Sequence, residues 1–127
     1  MKKEIASIVL IFLIGLCARA QALYFEHIDI KDGLSQNTVN EILQDSRGFM
    51  WFGTKDGLNR YDGKHFKIFR NIPYDTSGLR NSQIRCLVED MSGRIWVGTN
   101  SGLYVYDVEK GRFSEMHVRD EHGGGSL

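Results

Sequence analysis

Proline, cysteine and net charge are all scarce in this sequence of 127 residues. The chain has one proline against 14 glycines, so its turns must be made mainly by residues that tolerate a positive φ, as in hairpins between short strands. Sixteen basic residues balance sixteen acidic ones, which excludes the broad positive field that holds proteins to nucleic acid. We therefore expect an all-β chain of about one domain with no direct nucleic-acid partner.

The first 20 residues predict a secretory signal peptide. Two lysines precede an apolar run at 5–16, which is too short to span a bilayer because a spanning helix needs about 20 residues. Ala18 and Ala20 then form the small-x-small pattern that signal peptidase cleaves, directly before Gln21. An uncleaved membrane anchor is the alternative. The short run and the well-formed cleavage pattern favour a cleaved signal and a periplasmic location.

Cleavage after Ala20 would leave 13 basic residues, 15 acidic residues and a single cysteine, Cys86. A single cysteine forms no internal disulfide even in an oxidising compartment, so packing has to supply the stability. Cys86 alternates with Ile84 and Val88 along one predicted strand. We interpret it as a small buried apolar residue rather than as a nucleophile.

The most informative feature is an internal repeat with a period of 45 residues. Residues 33–62 align with residues 78–107 without a gap and share 11 of 30 residues. Beyond position 107 the second copy is two residues longer, so Phe66 corresponds to Phe113. The identical pairs are Gly33/Gly78, Leu34/Leu79, Asp45/Asp90, Gly48/Gly93, Trp51/Trp96, Gly53/Gly98, Thr54/Thr99, Gly57/Gly102, Leu58/Leu103, Tyr61/Tyr106 and Asp62/Asp107.

Each copy predicts four short strands separated by turns that contain glycine. The second strand of each copy is continuously apolar, which is typical of a strand covered on both faces. In the first copy the strands are predicted at 38–44, 49–54, 58–61 and 65–70. In the second copy they are predicted at 83–89, 94–99, 103–106 and 112–118.

Four antiparallel strands per unit and a period near 45 residues predict two blades of a β-propeller. A two-sheet sandwich of eight strands is the alternative, but a sandwich has no reason to repeat Trp-x-Gly-Thr at a fixed interval. Residues 24–28 are interpreted as an orphan outer strand that completes the closing blade of the propeller. The predicted segments are a signal peptide at 1–20, a lead-in at 21–33, a first blade at 34–78, a second blade at 79–119 and the start of a truncated next blade at 120–127.

The recurring tryptophans and glycines have structural roles that follow from their chemistry. Trp51 and Trp96 are predicted to fill the wedge between neighbouring blades, where an aromatic side chain buries about 150–250 Å². Gly53 and Gly98 permit an adjacent strand or blade to approach closely. A second pair of glycines, Gly57 and Gly102, is assigned to turns.

No catalytic residue, metal site or cofactor is expected in this chain. The sequence lacks a glycine-rich phosphate loop, a Cys-x-x-Cys pair and a serine nucleophile elbow. Its four histidines fall in outer strands or in the C-terminal tail, without a second ligand at metal spacing. Asp45 and Asp90 begin equivalent turns one blade apart, which suits acceptors of backbone N–H bonds and not a catalytic pair.

The strings DSRGFMWFGTKDGL at 45–58 and DMSGRIWVGTNSGL at 90–103 resemble two-component regulator propeller repeats. In that family the repeats form the periplasmic sensor region of hybrid histidine kinases, which are abundant in gut Bacteroidetes. The resemblance covers most of the chain from about residue 24 onward. It implies a seven-bladed propeller, an oligosaccharide ligand, further blades and a kinase in a longer parent chain anchored in the inner membrane, and a homodimer of that full-length sensor.

Two functions from different classes remain open. The favoured one is a non-enzymatic periplasmic sensor that binds a glycan fragment and passes a change of geometry to a downstream kinase. The alternative is a secreted propeller enzyme, a lyase or glycosidase, with its catalytic residues in other blades. A propeller gathers its ligand face from the loops before each first strand and the turns after each second strand. The candidate ligand-binding residues there are Asn37, Lys55, Asp56, Arg80, Asn100 and Ser101.

Export of the chain is predicted to remove its first 20 residues. N-terminal sequencing of the exported protein should begin at Gln21 or within a few residues of it. Ala20→Leu should block processing because the peptidase requires a small residue before the cut, whereas Ala22→Leu, just beyond the cut, should not. Wild-type protein that keeps Met1 in a membrane fraction would contradict the assignment.

Overall fold

A computed structural model of the chain describes residues 1–17 and 21–117. In those ranges the strands form two four-stranded antiparallel sheets, with the orders β1-β2-β3-β4 and β5-β6-β7-β8. The predicted all-β class, with four strands in each repeat and a helix at the N-terminus, is confirmed. The elements are α1 (Lys2–Cys17), β1 (Val39–Gln44), β2 (Met50–Thr54), β3 (Gly57–Tyr61), β4 (Phe66–Phe69), β5 (Ile84–Glu89), β6 (Ile95–Thr99), β7 (Leu103–Asp107) and β8 (Arg112–Met116).

The strand boundaries lie within two residues of the predicted ones. The two-residue insertion lies in the β7–β8 turn, where the N–H of Gly111 donates to the carbonyl of Asp107 at 2.8 Å. In the shorter β3–β4 turn, Oδ1 of Asp62 accepts the N–H groups of Lys64 and His65 at 2.8 and 2.7 Å. The predicted cleavage pattern at 18–20 and the predicted blade start at 120–127 lie outside the described residues.

The lead-in before β1 carries no strand in this structure. Tyr24 and Phe25 are more than nine-tenths exposed, and residues 21–29 pair with no strand of the described chain. The blade that residues 24–28 would complete is not among the two sheets, so their role as an outer strand stays a prediction. Leu34 is the first fully buried residue of the lead-in.

In each repeat an aspartate accepts a hydrogen bond from the tryptophan of the second strand. Oδ2 of Asp45 accepts the indole N–H of Trp51 at 2.8 Å, while its Oδ1 accepts the N–H groups of Arg47 and Phe49 at 3.0 Å. Asp90 holds the indole of the second repeat in the same way, at 2.9 Å. Because charge-assisted bonds to a carboxylate are strong, one side chain secures both the hairpin turn and the orientation of the ring.

The two blades pack face to face around Trp51. Its side chain is fully buried, stacked against Phe69 of its own blade and edge-on to Tyr106 of the next, with ring centroids 6.0 and 5.7 Å apart. Trp96 occupies the same position in the second blade but is only partly buried, because no third sheet covers its face in the described chain. The core cluster consists of Trp51, Leu58, Leu79, Ile84, Leu87, Ile95, Val97, Tyr104, Tyr106 and Phe113.

The prediction that Cys86 is buried is wrong. The pairing of β5 with β6 shifts register between Ile84 and Cys86, which is a β-bulge. The extra residue breaks the alternation, so that Ile84 and Leu87 face the first blade and are buried, whereas Cys86 and Val88 lie on the other face. No sheet of the described residues covers that face, and both side chains are exposed. The pairing of β1 with β2 has the same irregularity at the equivalent position.

Gly53 marks a close approach between the blades. A β-carbon added at Gly53 would lie 2.6 Å from Cγ2 of Ile84 and 3.6 Å from Cδ1 of Leu87, both in the second blade. Across the same boundary, Nδ2 of Asn40 donates to the carbonyl of Ile84 at 2.8 Å. The glycine therefore lets β2 and β5 come together at a distance that no side chain would allow.

Gly53→Ala is expected to lower the free energy of unfolding by about 1–3 kcal/mol, because the added methyl overlaps Cγ2 of Ile84 in a packed interface. Urea denaturation followed by tryptophan fluorescence measures the loss. Ile84→Ala removes the overlapping atom, so adding Gly53→Ala in that background should cost much less. Equal costs in the two backgrounds would show that the approach to Ile84 is not the cause.

The hydrogen bond from Trp96, together with those from Arg94, lowers the pKa of Asp90 to about 2. An aspartate in an unfolded chain titrates near pH 4. The depressed pKa therefore predicts a contribution to stability that is fully present above about pH 4 and is lost as the pH falls toward 2. NMR titration of the Asp90 carboxyl carbon measures the pKa directly, and a midpoint near 4 would show that these hydrogen bonds do not stabilise the carboxylate. Asp90→Asn should flatten the dependence of the urea midpoint on pH over the same window.

Candidate functional site

One end of the two blades carries the loops that the sequence analysis predicts to bind a ligand, and we call it the loop face. It comprises the lead-ins to β1 and β5 and the β2–β3 and β6–β7 turns. All of the ligand-binding residues predicted from the sequence lie on these segments: Asn37, Lys55, Asp56, Arg80, Asn100 and Ser101. Their assignment as ligand contacts stays a prediction, but their surroundings are defined.

Repeated threonines shape the two turns of the loop face. Oγ1 of Thr54 donates to the carbonyl of Gly57 at 2.9 Å and accepts the N–H of Asp56 at 3.0 Å. Thr99 makes the equivalent bond to the carbonyl of Gly102, also at 2.9 Å. The Thr in each Trp-x-Gly-Thr motif therefore stabilises the turn that follows it. The backbone positions of the side chains on that turn are defined by these hydrogen bonds.

Two of the six predicted residues are held in ion pairs. Nη2 of Arg70 lies 3.3 Å from Oδ2 of Asp56, and its Nε donates to the Asp56 carbonyl at 3.1 Å. Nη1 of Arg80 lies 3.6 Å from Oε2 of Glu115 on β8. These pairs are largely exposed, so they add little stability, but they partly neutralise the charges of Asp56 and Arg80.

The two asparagines hold backbone and side chains in place. Oδ1 of Asn37 accepts the N–H of Ile30 at 3.0 Å and thereby fastens the lead-in. Nδ2 of Asn100 donates to Oε1 of Gln83, and Oδ1 of Asn100 accepts Nε of Arg85. Asn100 therefore connects the β6–β7 turn to the beginning of β5 and orients two polar side chains beside it.

An open cleft of about 300 Å³ lies between the two blades at the loop face. We call it the inter-blade cleft, and its lining residues are Asn40, Lys55, Gln83 and Arg85. Two of these side chains are cationic, two are polar and none is acidic. Lys55 and Asn40 come from the first blade and the other two from the second, so the cleft exists only because the blades pack together.

Sequence reasoning identified Lys55 but missed three of the four residues that line the inter-blade cleft. All three fall within the strands predicted at 38–44 and 83–89, which were not considered as part of a binding site; in the structure Asn40 and Arg85 lie in β1 and β5, and Gln83 directly precedes β5. A signal was available, since Asn40 and Arg85 are 45 residues apart and place a polar side chain at the same point of each first strand.

A second cleft, of about 340 Å³, lies at the opposite end of the blades. Its lining includes Arg47 and Arg94 together with Asp107 and Glu109, so its charges balance. Nη2 of Arg47 donates there to the carbonyl of Gly93 at 2.8 Å, which joins the two blades. The cations that line this cleft have acidic neighbours, whereas the two that line the inter-blade cleft have none in its lining.

Consecutive four-stranded antiparallel sheets that pack through a buried tryptophan define this chain as a segment of a β-propeller. Residues 33–56 and 78–101 each match the sequence model of the two component regulator propeller family. The chain therefore carries two repeats of that family.

Known relatives agree with this assignment. Histidine kinase P4 of Formosa agariphila is 43% identical over 75 residues, which cover 58% of this chain and 6% of that protein. The crystal structure of the extracellular domain of BT3049 from B. thetaiotaomicron, designated a hybrid two component system, superimposes with a TM-score of 0.69 and 30% identity over 76% of this chain. The extracellular domain of BT4673 from the same organism gives a TM-score of 0.63 and 26% identity over 83% of this chain.

The chain spans only a small part of these relatives, 14% of the BT3049 structure and 15% of the BT4673 structure. Both are extracellular domains, which agrees with a chain that functions outside the cytoplasm. Within residues 1–17 and 21–117, no helix is both long and apolar enough to cross a membrane. The number of blades in a complete propeller stays a prediction.

Proposed function

We propose that this chain supplies two blades of the periplasmic sensor propeller of a two-component histidine kinase, and that its loop face binds a glycan fragment. The two propeller repeats support this assignment, as does the similarity to extracellular domains of two-component systems. The predicted signal peptide at 1–20 is consistent with a periplasmic location. In this proposal the segment binds ligand and has no catalytic role, and the kinase belongs to a longer parent chain.

The composition of the inter-blade cleft carries the ligand proposal. Asn40 and Gln83 provide amides, which can both donate to and accept from sugar hydroxyls. Lys55 and Arg85 add two positive charges with no acidic residue in the lining. Because arginine and lysine recognise carboxylate and sulfate groups, the class of glycan that fits is an anionic one, such as a uronic acid oligosaccharide.

Signal transmission follows from the position of the inter-blade cleft. Lys55 is on the first blade and Arg85 on the second, so one acidic sugar bound between them contacts both blades. Such a ligand binds best to one relative position of the blades and favours it over others. The change of blade geometry is the output that a downstream kinase would receive.

Titration calorimetry with uronic acid oligosaccharides and with neutral oligosaccharides of the same length tests this proposal. The acidic series should bind more tightly, with an affinity that falls as salt is raised. Lys55→Gln and Arg85→Gln should each weaken binding at least about tenfold, which is 1.4 kcal/mol. Lys64→Gln, in the β3–β4 turn at the opposite end, is the matched control and should bind as the wild type does.

Two results would refute parts of the proposal separately. Equal affinity for neutral and acidic oligosaccharides would refute the anionic class. Unchanged affinity after alanine substitution at all six predicted residues and at the other cleft residues would refute the loop face as the binding site. The six are Asn37, Lys55, Asp56, Arg80, Asn100 and Ser101, and the other cleft residues are Asn40, Gln83 and Arg85. Chromatography of the recovered oligosaccharide should show it intact, and cleavage would favour the propeller enzyme instead.

A further inference from the structure

Hydrogen bonds between exposed side chains define the second-blade wall of the inter-blade cleft. Gln83 and Arg85 flank Ile84 at the beginning of β5, and both are exposed whereas Ile84 is buried. Asn100 lies beside them in the β6–β7 turn, and its backbone N–H donates to the carbonyl of Gln83 at 3.2 Å. Because packing does not fix these exposed side chains, their mutual hydrogen bonds decide which of their atoms are left for a ligand.

The guanidinium group of Arg85 determines the orientation of the Asn100 amide. Every nitrogen of a guanidinium group donates and none accepts. Nε of Arg85 donates to Asn100, so the atom of Asn100 that receives this bond must be its oxygen, Oδ1. The nitrogen of the same amide, Nδ2, is thereby directed to Gln83.

Asn100 in turn determines the orientation of the Gln83 amide. Because Nδ2 of Asn100 donates, Gln83 has to offer an acceptor, and its Oε1 takes that place. Nε2 of Gln83, with its two hydrogens, is then left for the cleft. We call Arg85, Asn100 and Gln83 the donor relay, because the orientation set by the donor-only guanidinium leaves N–H groups at both of its ends.

Asn40, on the first-blade side of the cleft, is oriented by the opposite kind of partner. Its Nδ2 donates at 2.8 Å to the carbonyl of Ile84, which can only accept. This bond leaves Oδ1 of Asn40 as an acceptor. The cleft therefore combines two cations, Lys55 and Arg85, and the donor amide of Gln83 with one amide oxygen.

We propose that Asn100 is a positioning residue of the inter-blade cleft, which commits Gln83 and Arg85 to donate to a carboxylate of the bound glycan. This role rests on the proposed function, because it concerns the same site and the same anionic class of ligand. Nη1 and Nη2 of Arg85 are left to form the paired bonds that a carboxylate accepts from a guanidinium group. Nε2 of Gln83 adds a neutral donor beside them.

Asn100 acts through its neighbours and not by contact with the glycan. Its Oδ1 and Nδ2 are both engaged within the donor relay. Long side chains such as those of Gln83 and Arg85 lose conformational entropy when a ligand immobilises them. Ordering them in advance reduces that loss and strengthens binding. The proposal thus gives Asn100 a positioning role in place of the ligand contact predicted from the sequence.

Exchange of the Arg85 Nε–H proton with water, measured by NMR on the full chain without a ligand, tests the donor relay itself. The proton should exchange slowly in the wild type and in Asn100→Asp, which keeps an acceptor for it. Asn100→Ala should speed the exchange at least about tenfold, because the bond is lost. Asn100 is exposed, so far-UV circular dichroism should show that the fold survives.

Asn71→Ala is the matched control for the exchange measurement. Asn71 is an exposed asparagine in the linker before β5, and its side chain bonds to neither Arg85 nor Gln83. The Arg85 proton should exchange in this variant as it does in the wild type. Exchange that is as fast in the wild type as in Asn100→Ala would overturn the donor relay.

Titration calorimetry of the full chain with the trisaccharide of galacturonic acid tests the positioning role. Asn100→Ala should weaken binding about tenfold, because two side chains must then be ordered by the ligand. The same substitution should cost less in a chain that already carries Gln83→Ala or Arg85→Ala, since a positioning residue acts through those side chains. An equal cost in all three backgrounds would show that Asn100 contacts the glycan directly, and would overturn the proposal.

Failure of this role and failure of the proposed function give different results. A chain with slow exchange at Arg85 that binds acidic oligosaccharides no better than neutral ones would refute the anionic class of ligand, and with it the role of the relay. A chain that binds the acidic trisaccharide more tightly, but with the same affinity after Asn100→Ala, would overturn the positioning role alone.

Discussion

The indole of Trp51 lies between two sheets, bonded through its nitrogen to Asp45 and packed against Phe69 and Tyr106. Trp51 and Asp45 together stabilise three features. The aspartate holds the hairpin turn, the indole ring packs within its own blade, and the edge of the ring contacts the next blade. Gly53, two residues further along β2, allows the second blade to come close enough for that meeting. The packing of the blades depends on this short motif more than on any ion pair, because the ion pairs of the described chain lie mostly near solvent.

The inter-blade cleft is a consequence of that packing. Its four lining side chains come from two sheets, and none of the segments that carry them would form a concave surface alone. Asn40 has two roles, since its side-chain amide donates to the backbone of the second blade and also lines the cleft. The stability of the blade interface and the shape of the candidate site are therefore coupled through the same residue.

Equivalent positions of a repeat do not have equivalent surroundings. Trp51 is fully buried, whereas Trp96, with the same aspartate bond and the same place in its strand, is partly exposed. Leu87 is buried and Ile42, its counterpart, is more than half exposed. The difference arises because a blade buries each face against a different neighbour, so the environment of a repeat position depends on which neighbours are present and not on the repeat itself.

The repeat period, the eight strands and their turns were predictable from the sequence, because turn chemistry and runs of apolar residues act over a few residues. Asp45 and the glycine of its turn, for example, predict a hairpin whose formation depends only on neighbouring residues in the sequence. The burial of Cys86 was predicted wrongly, since a β-bulge changes which face a residue occupies without altering the local pattern of residue types. Arg85 was likewise missed as a cleft residue, because the cleft forms only where two blades meet. Sequence determined which strands form, through interactions between near neighbours; tertiary structure decided which faces are buried and where a ligand can sit, because both depend on contacts between residues about one repeat apart.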